Sequence, residues 1–134
     1  LAKYEKLPKE VDINTNHLIK DWFGKKKLFN CFVAEVNSKI EGMAIVYNRY
    51  STWKGETLHL EDLIVTKIMR NKGIGALLLD KVILFGKQMG VKRITWEVID
   101  WNKKAIKFYE RKGARLIEDW SIIHLDEEAI ENYH

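Results

Sequence analysis

The pattern of apolar and polar positions predicts short helices, a hairpin, and then a strand, helix, strand, helix and strand in succession. The opening LAKYE has helical composition, and Pro8 then ends or redirects the chain, so this stretch reads as the tail of a longer helix. Asn14 or Thr15 caps a short helix running through Trp22, with Leu18, Ile19 and Trp22 at helical spacing and Gly24 closing it. Leu28 to Val36 reads as a strand, the polar run NSKIEG as a turn, and Met43 to Tyr50 as a second strand, giving an antiparallel hairpin. Ser51 to Glu56 forms a loop.

The next segment has strand spacing at Leu58, Leu60, Leu63, Ile64 and Val65, but strict alternation breaks where Glu61 and Asp62 stand side by side. A bulge there would re-aim side chains. After a polar loop, Gly73 and Gly75 open a long helix whose apolar face carries Leu77, Leu78, Val82, Phe85 and Met89, and Gly90 ends it. Arg93 to Ile99 is another strand, Asn102 to Lys112 a helix capped by Gly113, and Arg115 to Leu125 a final extended segment around Trp120. Strands alternating with helices predict an α/β fold around a mixed sheet. The 134 residues, 46% of them hydrophobic, suit one compact domain over 1–134 with a real core.

Composition narrows the classes that remain. A single cysteine, Cys31, rules out an internal disulfide framework and a multi-cysteine zinc site, and makes a reducing cytoplasm the default. No stretch approaches the roughly 20 apolar residues of a membrane span, and the opening segment lacks an apolar signal core, so the chain reads as soluble. The formal charge of +4 comes from 23 basic residues against 19 acidic ones spread along the chain, a weak basis for nucleic-acid binding. The run Lys25 to Lys27 fits a solvated turn better than a recognition element. His17, His59, His124 and His134 show no ligand spacing, so no metal is expected, and Cys31 reads as a small buried hydrophobe.

Arg70, Asn71, Lys72, Gly73, Ile74, Gly75 and Ala76 stand between a strand and a helix, where unpaired N–H groups and the helix dipole can hold an anion. A plain structural turn is the competing reading, with Arg70 and Lys72 as ordinary surface charge. A Walker loop would need Gly-Lys-Ser/Thr after a longer spacing, and a dinucleotide fingerprint would need a third glycine where Leu78 stands. Downstream, Asn102 through Ala114 follows a strand with the sequence NKKAIKFYERKGA.

The pair R-x-x-G-x-G and N-x-x-A-I-x-F-Y-x-x-x-G-A, in this order and separation, resembles the GNAT superfamily of acetyl-CoA-dependent N-acetyltransferases. LAKYE, FVAEV, YSTWKG, LHLEDLIV, WEVIDWN and EDW are similar to its spermidine/spermine acetyltransferase branch, including thialysine-acetylating relatives, over nearly the whole chain. The resemblance implies a mixed, mostly antiparallel central sheet flanked by helices, with a first strand and most of a first helix preceding LAKYE, and a homodimer. It implies acetyl-CoA as cosubstrate, bound by the Arg70 to Ala76 loop, by the Leu63, Ile64 and Val65 backbone along the pantetheine arm, and by Asn102 and Ala105. Asn102 has a purely structural reading as well, as a helix N-cap.

Amide formation requires a neutral amine, yet an ammonium of pKa near 10.4 leaves only on the order of one molecule in a thousand deprotonated at neutral pH. Glu61 is the candidate base, or equally a binder of the cation. Tyr109 is the candidate acid for a departing thiolate, because a phenol stays protonated at neutral pH. As a residue type alone it reads as a half-buried aromatic beside Phe108. Backbone N–H groups freed where the bulged strand leaves its neighbour could hold a developing oxyanion.

A cationic acceptor calls for carboxylates and aromatic faces together. By resemblance, Tyr4, Glu5, Trp53, Glu61, Asp62, Glu118 and Trp120 line that pocket, each with a mundane alternative as core, dimer contact or solvated surface. The polyamine-specialised members carry an acid where Ser51 stands, so a thialysine, a lysine-like amine or a short diamine is expected over a long polyamine, with Ser51 facing the far end of the acceptor. Two other classes compete: a non-catalytic acyl-CoA-binding module on the same fold and a nucleic-acid-binding domain.

Overall fold

The computed structural model describes residue 1 and residues 4–134; the expected helical tail LAKYE includes residues 2 and 3, which lie outside the described residues. Glu5 N–H donates to Leu1 C=O at 3.0 Å. The chain forms two compact units, Leu1–Glu97 and Val98–His134.

In the first unit a short 3-10 turn, Pro8–Glu10, precedes helix α1, Thr15–Phe23. Asn14 caps α1 as expected: its side chain accepts from the N–H groups of Asn16 and His17, and His17 returns a bond to the Asn14 backbone. The sheet follows, made of β1 (Asn30–Val36), β2 (Lys39–Ser51), β3 (Gly55–Val65) and β4 (Ile94–Thr95) in that spatial order. β1 with β2 and β2 with β3 are antiparallel; β3 with β4 is parallel. The polar turn closes the first hairpin in two residues, Asn37 and Ser38, at φ 50° and 62°. Positive φ at both central positions matches the twist of the flanking strands.

Helix α2, Ile74–Met89, packs on β1, β2 and β3. Its Ile74, Leu78, Leu79 and Val82 meet a core that includes Ala44, Val46, Leu58 and Leu60. Each fully buried side chain of this kind is worth about 1.5–3 kcal/mol. The expected face is displaced slightly: Leu77 is 69% exposed and Leu79 takes the buried place. Gly86 lets the helix approach β4, since a Cβ there would fall 2.8 Å from Ile94 Cδ1. The helix ends at Gly90, φ 74°, with Val91 N–H bonded to Gly86 C=O and Gly90 N–H to Lys87 C=O.

The strand expected over Arg93 to Ile99 is realised only at Ile94–Thr95, which pair with Leu58 and His59. Composition allowed a longer strand, but a strand exists only as far as its ladder, and this one stops two residues short of the irregularity in β3. A 3-10 turn, Lys67–Met69, also occupies part of the expected polar loop.

The second unit holds α3, Lys103–Arg111, and α4, Glu127–Glu131. Asn102 caps α3 by accepting from Ala105 N–H at 3.3 Å, and Asp126 caps α4 by accepting from Ala129 N–H at 3.0 Å. Gly113, φ 88°, ends α3 as expected. The extended segment expected over Arg115 to Leu125 forms no strand. Its apolar residues give it β-type composition, but no sheet ladder takes it up.

Candidate active site

β3 carries the central feature. Ile45 pairs with Asp62 and Val46 with Leu60, so Glu61 is the extra residue of a β-bulge, at the position where the broken alternation placed it. A bulge leaves one residue without a cross-strand partner and turns its side chain away from the regular pleat. The Glu61 side chain is accordingly 55% exposed in a strand whose preceding four residues are all buried.

A polar cluster surrounds that carboxylate. His59 Nε2 lies 3.6 Å from Glu61 Oε2, and Tyr47 is paired with His59 across the strands. Burial first, then the charge of Glu61, raises the Tyr47 phenol above its usual range, so its proton stays in place as a donor. The His59 side chain is only 6% exposed. Its Nδ1 sits 3.1 Å from Arg49 Nη1 and 2.9 Å from Thr95 Oγ1. Burial first, then the Arg49 charge, lowers the His59 pKa, with Glu97 acting the other way. Asp62 is raised above the usual carboxylate range, chiefly by burial and then by Glu61.

Beyond the bulge, Leu63, Ile64 and Val65 pair on one side with Ala44, Met43 and Gly42 of β2. The β4 ladder on the other side reaches only Leu58 and His59. The outward-turned backbone groups of the last third of β3 therefore face no strand among the described residues, which is the divergence expected for an oxyanion or pantetheine contact.

The loop after β3 leads into α2. Arg70 Nε donates to Val65 C=O at 3.0 Å, and its guanidinium lies 5.1 Å from the centre of the Tyr4 ring. The structure thus puts Tyr4, expected at the acceptor, against Arg70, expected at the phosphates. Asn71 has φ 63° and Lys72 Nζ lies 3.7 Å from Met69 Sδ. Gly73 is the N-cap of α2 at φ 83°, a left-handed conformation that side chains rarely adopt. No side chain caps this helix and its first turn has no acid, although it runs for 16 residues. A Cβ at Gly75 would meet only Val65 Cγ2 at 3.8 Å, so the space beside Gly75 is open. A diphosphate fits this terminus: first-turn N–H groups without a side-chain cap, the positive end of the helix dipole and adjacent Arg70 and Lys72 all favour an anion.

Trp53 stands at the opposite end of β3, in the turn between Ser51 and Gly55, and is 81% exposed. Gly55 and Glu61 are six positions apart, about 20 Å of strand, so Trp53 and Glu61 are not brought together within this unit. The Ser51 hydroxyl is engaged in the turn, accepting from the N–H groups of Trp53 and Lys54, both at 3.2 Å. Within the second unit Tyr109 is half-buried on α3, its ring 5.2 Å from that of Phe108, and Ala105 and Asn102 form the start of the same helix. Glu118 and Trp120 are exposed on the segment after α3.

Tyr47, Arg49, His59 and Thr95 escaped sequence reasoning as site residues. The signal for His59 was present, because residues 59 and 61 of a strand share a face, but its cross-strand partner depends on register. Cys31 is half-buried, with its thiol pushed up by burial, as suits an inert small hydrophobe. No group of three or more His, Cys, Asp or Glu side chains is placed to hold a metal ion, and no helix is long and apolar enough to cross a membrane, among the described residues.

A bulged strand bearing an acid is followed, after the loop of residues 66–73, by an uncapped glycine helix start on a mixed α/β sheet, an arrangement able to set a bound anion near a carboxylate. The model of the Acetyltransferase (GNAT) family matches residues 3–114, and the chain belongs to that family of N-acetyltransferases. It is 36% identical over 141 residues to a thialysine N-epsilon-acetyltransferase of Sus scrofa, covering 97% of this chain and 83% of that protein. It is 29% identical to the human spermidine/spermine N(1)-acetyltransferase-like protein 1, covering 97% of this chain but only 20% of that protein. Among solved structures, an aminoglycoside acetyltransferase from an uncultured soil metagenomic sample superposes with a TM-score of 0.76 at 19% identity, over 93% of this chain and 82% of that one, a likeness of fold.

Proposed function

We propose that this chain transfers an acetyl group from acetyl-CoA to the primary amine of a small cationic acceptor, in a ternary complex and by direct attack. The observation that carries the reading is the 16-residue helix α2, opened by glycine and left without a side-chain cap, joined by one loop to the strand whose bulge presents Glu61. Acetyl-CoA, when bound, supplies the thioester that the amine attacks and the thiolate that leaves. The N–H groups from Gly73 to Ala76, with Arg70, Asn71 and Lys72, hold its diphosphate; the backbone of Leu63, Ile64 and Val65 faces its pantetheine arm; Asn102 and Ala105 assist.

Glu61 takes the ammonium proton, directly or through water, and its half-exposed carboxylate suits a group that must meet a solvated cation. Asp62 adds negative character beside it. Tyr109 holds a proton for the departing sulfur. The acceptor is a thialysine, a lysine-like amine or a short diamine. Similarity to the thialysine-acetylating relatives supports this choice, as does Ser51, a neutral residue whose hydroxyl is already committed to the turn. Tyr4, Glu5, Trp53, Glu118 and Trp120 remain candidates for acceptor contacts. A cytoplasmic homodimer completes the reading, supported by the branch resemblance and by the single cysteine.

The test is competition between thialysine and spermine with acetyl-CoA, following free thiol and identifying the acetylated nitrogen. The native protein should show the higher kcat/KM for thialysine, and Tyr109→Phe should lower turnover by about 10- to 1000-fold with CoA affinity kept. A preference for spermine would overturn the acceptor, and unchanged turnover in Tyr109→Phe with chemistry rate-limiting would remove Tyr109 from the mechanism.

A further inference from the structure

Glu61 gains freedom from the bulge and needs something to aim it. A bulged residue lacks the cross-strand neighbour that would fix its side chain, and a base must sit within about 3 Å of the proton it removes. We propose that Tyr47 and His59 are positioning residues for Glu61, with Arg49 and Thr95 locking the His59 ring as the tautomer that carries its proton on Nε2. The inference rests on the reading of Glu61 as the base.

The tautomer follows from donor chemistry. A guanidinium has only donors, so a ring nitrogen 3.1 Å from Arg49 Nη1 must accept. Nδ1 is that nitrogen, and the Thr95 hydroxyl at 2.9 Å donates to the same atom or lies beside it. The proton of the neutral ring is then on Nε2, the atom 3.6 Å from Glu61 Oε2. That separation is longer than a direct hydrogen bond, and an N–H dipole pointing at a carboxylate across it still favours one orientation of the carboxylate. Protonation of the ring would set a second N–H against the Arg49 guanidinium, which the buried site resists. The groups facing His59 are Tyr47 and Arg49 from β2, Thr95 from β4, Glu97 just after it, and Glu61 from its own strand.

Tyr47 supplies the second restraint. It is the register partner of His59, its ring lies 5.1 Å from the imidazole, and the Glu61 charge acts on its phenol. One cross-strand pair thus places two donors, an O–H and an N–H, near a single carboxylate. Removal of either donor lets the carboxylate swing while leaving the cofactor loop untouched.

The experiment is a double-mutant cycle. Tyr47→Phe, His59→Leu and His59→Gln are each made in the native protein and in Glu61→Gln, with folding checked by thermal denaturation. With Glu61 present, Tyr47→Phe and His59→Leu should each lower kcat by about 3- to 30-fold, leave the KM for acetyl-CoA unchanged, and His59→Gln, which restores a side-chain N–H, should recover most of the loss. In Glu61→Gln the same changes should have no further effect. Nitrogen-15 spectra of the imidazoles, with His59 assigned by its disappearance in His59→Gln, should show the Nε2–H tautomer without any ligand. Losses that multiply with an already impaired Glu61→Gln, or an Nδ1–H tautomer, overturn the positioning role alone. Full turnover in Glu61→Gln overturns the assignment of the base itself.

Discussion

Helices α1 and α2 begin in opposite ways, and the contrast separates what holds the fold from what serves the ligand. α1 is 9 residues long, has no buried residue, and is given a complete capping box by Asn14 and His17. α2 is 16 residues long, carries much of the core, and starts on a glycine with no side-chain cap and no acid in its first turn. If stability were the sole requirement, the longer helix would gain about 1 kcal/mol from a Ser, Thr, Asp or Asn cap. Leaving its N–H groups bare at the end of β3 makes sense when an anion from outside the chain supplies the acceptors.

The comparison can be broken at either terminus. The largest effect is expected at Gly75: because a Cβ there meets nothing closer than 3.8 Å, Gly75→Val should fold yet fill the approach to the N–H groups. Its CoA affinity should fall on the order of 100-fold, about 2.7 kcal/mol. Normal affinity in the folded variant, measured by calorimetry, would move the diphosphate elsewhere. Asn14→Ala is the counterpart, expected to cost about 1 kcal/mol of stability at α1, read by urea denaturation, with CoA affinity unchanged.

Ala76→Glu sharpens the same contrast by giving its two effects opposite signs. A carboxylate in the first turn of α2 should raise stability by about 0.3–1 kcal/mol through the helix dipole. The same charge should repel a diphosphate and weaken CoA binding by about 10-fold. Thermal denaturation with and without CoA reads both quantities, and a variant that gains stability without losing CoA affinity would separate the terminus from the ligand.

These features differed in how readily the sequence disclosed them. The bulge at Glu61 was legible because two adjacent acids interrupt a period of two, a purely local signal. The Asn14 and Asn102 caps, the positive-φ ends at Gly90 and Gly113 and the glycine start of α2 were local in the same way. The short β4 was not legible, since the number of residues that pair depends on where the neighbouring strand stays regular. Leu116, Ile117, Ile122 and Ile123 suggested a strand for the same reason, composition without knowledge of a ladder. The Tyr47–His59 pair lay furthest from view: it depends on the antiparallel register of β2 and β3, which the bulge itself offsets by one residue. A lone histidine in an apolar strand carries no hint of the arginine that fixes its tautomer.

The most direct test of the account follows the amide signals of Gly73, Ile74, Gly75 and Ala76 in proton–nitrogen spectra during titration with CoA and, separately, with pantetheine, which lacks the diphosphate. These four amides should shift strongly with CoA and far less with pantetheine, while those of Leu63 to Val65 respond to both. CoA binding that moves other amides and leaves those four in place would contradict it.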